Sequence, residues 1–158
     1  MAKLEIERKF LPGVLPFALK DGVPVMQGYI SDDPVIRVRK MGAEYFLTVK
    51  KLAGVFCEEY ETDLNEGQFE RLWAKVDAGM IVKTRHFVPL DTGHVAEIDV
   101  YDGRLAGFIT IEVEFSDLAA AAAFLAPDWF GKEVTGDHRY SNNHLARHGL
   151  GAGDPGPG

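Results

Sequence analysis

A single cysteine, Cys57, stands in a chain of 158 residues, so no internal disulfide can form and nothing suggests a thiolate metal cluster. Basic charge is scarce: 17 Lys and Arg against 24 Asp and Glu leave a net charge of −7 with histidine neutral. That deficit excludes the broadly basic surface that nucleic acid or an anionic membrane requires. No apolar run approaches the length that spans a bilayer, and Met1–Lys9 is charged at once instead of building a signal-peptide core. No repeat recurs at solenoid or propeller spacing. The expectation is a cytoplasmic protein with neither nucleic acid nor membrane as partner. At 46% hydrophobic and 26% charged, the composition is that of an ordinary globular domain, long enough to bury its own core. The folded domain is expected over 1–148. Residues 149–158, rich in Gly and Pro and without apolar periodicity, read as a flexible tail.

Most of the chain has a hydrophobic period of two, the mark of strands. Eight are expected: Leu4–Leu11, Val23–Ser31, Val35–Met41, Glu44–Lys51, Phe56–Thr62, Met80–Val88, His94–Tyr101 and Phe108–Phe115. Short Gly- and Pro-containing connections favour antiparallel pairing. Helices are expected over Asn65–Val76, Asp117–Leu125 and Asn142–His148. The class is α+β with a large antiparallel sheet.

The charges alternate with the apolar residues and segregate by sign. One face collects Glu5, Glu7 and Lys9, then Arg37 and Arg39, Thr48 and Lys50, Glu59 and Glu61, Lys83 and Arg85, Glu97 and Asp99, Glu112 and Glu114. Residues two apart on a strand share a face at about 6.6 Å. The plain reading is an open sheet with one wet face. A wet face, however, normally mixes its charges, whereas here like stands beside like. Like neighbours repel, which makes sense where a ligand is held between strands: acidic pairs take hard divalent cations, and basic pairs grip phosphate oxygens. Arg8, on the apolar side, breaks the pattern.

Glu5-Ile6-Glu7-Arg8-Lys9 resembles the ExExK motif of the CYTH superfamily, the triphosphate tunnel metalloenzymes. The resemblance continues through Gln27-Gly28-Tyr29, Arg37-x-Arg39, Thr48-x-Lys50, Glu58-Glu59-Tyr60-Glu61, Lys83-x-Arg85, Glu97-x-Asp99, Glu112-x-Glu114 and Glu133-Val134-Thr135-Gly136-Asp137-His138-Arg139-Tyr140-Ser141-Asn142. It covers residues 3–148 and is close to the small bacterial inorganic triphosphatases. It implies a closed eight-stranded antiparallel β-barrel with a few flanking helices, its charged face turned into a tunnel. It also implies Mg²⁺ or Mn²⁺ on Glu5, Glu7, Glu112 and Glu114, with Glu59, Glu61 and Asp99 as supporting acids. The triphosphate would be gripped by Lys9, Arg37, Arg39, Lys50, Lys83 and Arg85, with Arg139 a further candidate. For the general base two options stand: Glu5 or Glu7, or Lys9 with Tyr29.

The implied reaction is metal-dependent hydrolysis of inorganic tripolyphosphate to pyrophosphate and phosphate. Thiamine triphosphatase and a class IV-type adenylate cyclase are the enzymatic alternatives, and a polyphosphate-binding module is the non-enzymatic one. Val35 stands where the thiamine branch carries a stacking aromatic, and Gln27-Gly28-Tyr29-Ile30-Ser31 is shorter than the second-strand motif typical of the cyclase and thiamine branches, which favours the inorganic substrate. Oligomeric state is left open, a homodimer included. His144 and His148 lack a third metal ligand nearby. Cys57 reads as a small buried strand residue, Trp73 as core and Trp129 as a turn anchor.

Overall fold

A computed structural model describes residues 3–53, 56–77 and 79–151; the remainder of the expected tail, 152–158, lies outside the described residues. Among the described residues ten strands form one antiparallel sheet: β1 (Lys3–Glu5), β2 (Glu7–Pro12), β3 (Val23–Asp32), β4 (Val35–Met41), β5 (Glu44–Ala53), β6 (Phe56–Leu64), β7 (Met80–Pro89), β8 (Val95–Tyr101), β9 (Ile109–Glu114) and β10 (Phe130–Glu133). Among the described residues three α-helices flank it: α1 (Glu66–Trp73), α2 (Leu118–Ala123) and α3 (Asn142–His148). Among the described residues, no helix is long and apolar enough to cross a membrane.

The sheet is not the closed eight-stranded barrel that the resemblance implied. Its order runs β1-β6-β5-β4-β3-β7-β8-β9-β2-β10, with β1 and β10 as separate ends and no ladder between them among the described residues. The cause lies in the first expected strand. Residues 3–5 pair with β6, as in Glu5 opposite Cys57, whereas residues 7–10 pair with β9, as in Lys9 opposite Glu112. Ile6 belongs to neither strand, and its carbonyl accepts the Phe115 N–H at 2.8 Å. The tenth strand escapes the sequence pattern because it is short and carries Gly131. That glycine is needed, since a Cβ there would meet the Pro12 and Leu11 carbonyl oxygens at 2.8 and 2.9 Å.

The helices start where capping chemistry says they should. Asn65 and Gln68 form a reciprocal capping box, Asp117 accepts the Ala120 N–H at 2.7 Å, and Ser141 Oγ accepts the His144 N–H. α1 lays Phe69 and Trp73 over the outer face, with Phe69 against Tyr45 at 5.0 Å between ring centroids. Gly28 lies beneath Trp73 and Val76, where a Cβ would come within 2.7 Å of Val76.

Two apolar clusters fix the rest. One covers the outer face of β8, β9 and β2 and joins Phe10, Ile98, Ile111 and Val113 to Phe115, Phe124 and Phe130. The other fills one end of the inner face: Leu11, Tyr29, Ile81 and Tyr101 meet Leu105, Phe108, Tyr140, Leu145 and Ala146, with Val35 and Leu150 packed against them. At that end the inward positions turn from charged to apolar, so the inner space ends on a plug. α3 is held in the plug by Arg104, whose guanidinium donates to the Leu145 and Ala146 carbonyls, and by Arg147, which pairs with Asp32 at 2.6 Å and Asp77 at 3.1 Å.

Candidate functional site

Beyond the plug, the inner face encloses a cavity of about 600 Å³. The alternation noted in the sequence does what it implied geometrically: Glu5, Glu7, Lys9, Tyr29, Arg37, Arg39, Lys50, Glu59, Glu61, Lys83, Arg85, Glu112 and Glu114 all reach this one space. Two nominated residues do not. Asp99 is fully buried behind the wall, and Arg139 sits half-exposed on the surface, its guanidinium paired with Asp137 at 2.6 Å. Sequence reasoning had also not singled out Glu97, His138, Ser141, Asn142 or Phe87 as site residues, yet these line the cavity as well. Glu97 was legible from its parity with Asp99. The residues of 138–143 were not, because only the folded chain brings that segment over the inner face.

The acidic groups gather where the sheet changes ladders. Carboxylate oxygens of Glu5, Glu7 and Glu114 lie within 4.8 Å of one another. Glu7 is pushed up to about 9, first by the charge of Glu112, then by burial and by Glu5. A carboxylate so short of positive charge fits a divalent cation, and an all-oxygen set suits a hard one. Glu112 differs from its neighbours. Burial alone would raise it, but Lys9, then Arg85 and Lys83, outweigh that and hold it well below the usual carboxylate range. Its oxygens lie 3.3 Å from Lys9 Nζ and 3.8 Å from Arg85 Nη2.

The basic groups divide into two walls. Lys83 Nζ donates to Asp99 Oδ2 at 2.6 Å, and Arg85 holds both Asp99 oxygens through Nε and Nη2 at 2.8 and 2.9 Å. Arg85 Nη1 reaches Glu97 at 2.9 Å. Burial would raise Asp99, but Lys83 and Arg85 together hold it low. Lys83 is drawn down to about 8 by burial, which its half share of one carboxylate does not offset. Glu97 rises to about 7, chiefly through burial.

The second wall is less compensated. Arg37 Nη2 meets Thr48 Oγ1 at 3.2 Å, and Arg39 Nη2 meets Glu61 at 3.4 Å, yet the buried Nε atoms of both arginines have no acceptor. Burial, then the charge of Arg37, lowers Arg39 to about 10. Lys50 bridges the regions, with Glu5 at 2.9 Å and Glu59 at 3.4 Å. Lys9 donates to the Tyr140 carbonyl at 2.6 Å, and Tyr29 Oη accepts from Gln27 Nε2 at 2.8 Å. A pocket that combines an acidic cluster with several arginines and lysines can hold a polyanion together with its metal.

No protein-family model matches the chain. Among individual proteins, it is 43% identical over 145 residues to an inorganic triphosphatase of Nitrosomonas europaea, covering 90% of this chain and 96% of that one. An inorganic triphosphatase of Acetivibrio thermocellus is 33% identical over 147 residues, with 90% and 93% covered. A crystal structure of an inorganic triphosphatase superposes with a TM-score of 0.69 at 41% identity, over 93% of this chain and 97% of that one. Identity at this level across nearly the whole of both chains, together with a matching fold, places the protein: it belongs to the inorganic triphosphatases of the CYTH, or triphosphate tunnel metalloenzyme, superfamily.

Proposed function

We propose that the protein is a metal-dependent inorganic triphosphatase that cleaves tripolyphosphate to pyrophosphate and phosphate within the 600 Å³ cavity. The observation that carries this reading is the convergence on one cavity of the Glu5, Glu7 and Glu114 cluster with Arg37, Arg39, Lys9 and Lys50. Tripolyphosphate offers only oxygens, which the arginines and lysines of the site would meet as donors and its carboxylates through a shared cation. Val35 supports the inorganic substrate over thiamine triphosphate or ATP. It packs on the apolar plug and presents no ring on which an organic group would stack.

Hydrolysis of a phosphoanhydride asks the protein for position and charge. Arg37 and Arg39 grip the phosphate oxygens and hold the chain straight, with Lys9 and Lys50 adding point charges. Lys83 and Arg85, anchored by Asp99, set the field along the other wall. Glu5, Glu7 and Glu114 would hold Mg²⁺ or Mn²⁺, with Glu112, Glu59 and Glu61 beside them. A bound divalent ion supplies Lewis-acid polarisation of phosphate oxygens and a more acidic water. Two sets of groups that line the cavity are candidates to take up the proton of the attacking water: Glu5 or Glu7, and Lys9 with Tyr29. A side chain at Arg139 lies outside this machinery.

The test is phosphate release from tripolyphosphate, pyrophosphate, ATP and thiamine triphosphate, each with Mg²⁺ or Mn²⁺. Tripolyphosphate is expected to give the highest kcat/KM. An equal or higher value for an organic triphosphate, or cyclic AMP as the main product from ATP, would overturn the substrate assignment. Tight binding without turnover would leave a binding module.

A further inference from the structure

Arg8, the one charge on the apolar side of the first strand, and Glu133-Val134-Thr135 have no part in the site described so far. Arg8 holds Glu133 by two bonds, Nη2 to Oε1 at 2.6 Å and Nε to Oε2 at 2.9 Å. Its Nη1 donates to the Ala121 and Phe124 carbonyls at the end of α2, both at 2.9 Å. Glu133 Oε2 accepts the hydroxyl proton of Thr135 at 2.6 Å. With that proton directed to Glu133, the lone pairs of Thr135 Oγ1 face the Lys9 N–H, which donates to it at 3.0 Å. The Val134 N–H donates to the Lys9 carbonyl at 2.8 Å. Both main-chain polar groups of Lys9 are therefore met by this strap. Its side chain reaches the same segment, at the Tyr140 carbonyl.

The strap runs on from β10, at one end of the sheet. Strand pairing from β10 reaches β2 only at Phe10 and Pro12, and pairing from β6 reaches only residues 3–5. Between them Glu7 and Lys9 border a second, smaller cavity that Thr135, His138 and Cys57 also line. No sheet neighbour fixes that edge of the Glu7–Lys9 stretch among the described residues, and the strap does so at Lys9.

We propose that Thr135, its hydroxyl oriented by the Arg8–Glu133 clasp, is a positioning residue that sets the main chain of Lys9 and with it the place of the ammonium in the cavity. This rests on the tripolyphosphatase reading. It goes beyond that reading by assigning a role to residues that never touch substrate.

The test pairs Thr135→Val, which keeps the shape and removes the hydroxyl, with Thr135→Ser, which restores it. Thr135 is exposed, so neither change disturbs the core. For Thr135→Val, kcat on tripolyphosphate is expected to fall on the order of tenfold or more, as small misplacements of reacting groups do. KM should change by less than about twofold and the melting temperature should barely move. Amide hydrogen exchange at Lys9 should quicken in Thr135→Val and return to the wild-type rate in Thr135→Ser, together with kcat. A wild-type kcat in Thr135→Val, a Lys9 amide that stays protected in it, or a Thr135→Ser as impaired as Thr135→Val would each overturn the proposal. A wild-type protein inert toward tripolyphosphate would instead sink the functional reading, while the exchange measurement would still judge the strap.

Discussion

The two basic walls of the cavity use the same residue types and differ in what they are for. Around Asp99 each cation is matched within the protein: Lys83 and Arg85 converge on one fully buried carboxylate, and Glu97 takes the remaining arm of Arg85. Around Arg37 and Arg39 the compensation is partial. Glu61 approaches both, at 3.8 and 3.4 Å, and two buried Nε donors remain without acceptors. The first wall is stable as it stands, because burying a charge is tolerable only beside a partner. The second holds donors in a state that a bound anion improves. Stability and substrate affinity should therefore separate between the walls.

The largest expected effect breaks the first wall. Asp99→Asn leaves Lys83 and Arg85 buried without their shared counter-charge, and unfolding in urea should show a loss of about 3–5 kcal/mol. A loss below about 1 kcal/mol would mean that the pairing with Asp99 is not what stabilises this wall. Next comes the second wall. Arg39→Ala should lower kcat/KM for tripolyphosphate by about 1.5–3 kcal/mol, roughly ten- to a hundredfold. It should leave the melting temperature unchanged or raised, since burial already disfavours the Arg39 charge. An Arg39→Ala protein that is fully active but unstable would reverse the roles assigned to the walls.

A third prediction sharpens the contrast with the acidic cluster. The folded-state pKa of Glu7 is raised from 4.5 to about 9. Between those values the folded chain keeps a proton that the unfolded chain has released, so each increase in pH within the window favours unfolding. The metal-free protein should melt several degrees lower at pH 8.5 than at pH 5.5. Glu7→Gln should weaken that slope, and added Mg²⁺ or Mn²⁺ should flatten it in the wild type, with scanning calorimetry as the readout. A slope unaffected by both Glu7→Gln and metal would remove Glu7 from the cation site. The smallest effect is expected at Arg139, outside the cavity, where Arg139→Ala should keep kcat/KM within about twofold of wild type.

How far the sequence was legible depended on the kind of signal. Period-two alternation found the strands from β3 to β9 within one or two residues, because along each of them charged or polar residues of the inner face alternate with mostly apolar residues of the outer one. It treated Leu4–Leu11 as one strand, since nothing in Ile6 marks a change of pairing partner. It missed Phe130–Glu133 because four residues with an internal glycine are too short to show a period. Residues of the like-charge pairs line most of the cavity, as parity on a strand is enough to say which side a residue faces. Parity put Asp99 in the same group as Glu97, but depth differs along a strand. Near the plug an inward residue is buried among its neighbours and not displayed to the cavity.

By itself, then, the sequence determined which residues share the inner face and that their charges are sorted by sign, because both follow from local alternation and composition. It also carried enough ordered motif to mark the family. Only the tertiary structure decided that the sheet ends as two separate edges, that an apolar plug shuts one end of the inner space, and that residues 133–140 reach back to Lys9. These depend on contacts across more than a hundred residues of chain, such as Lys9 with Thr135 and Arg8 with Glu133. No periodicity encodes such contacts, because each is fixed by the packing of elements whose positions the rest of the fold must first supply.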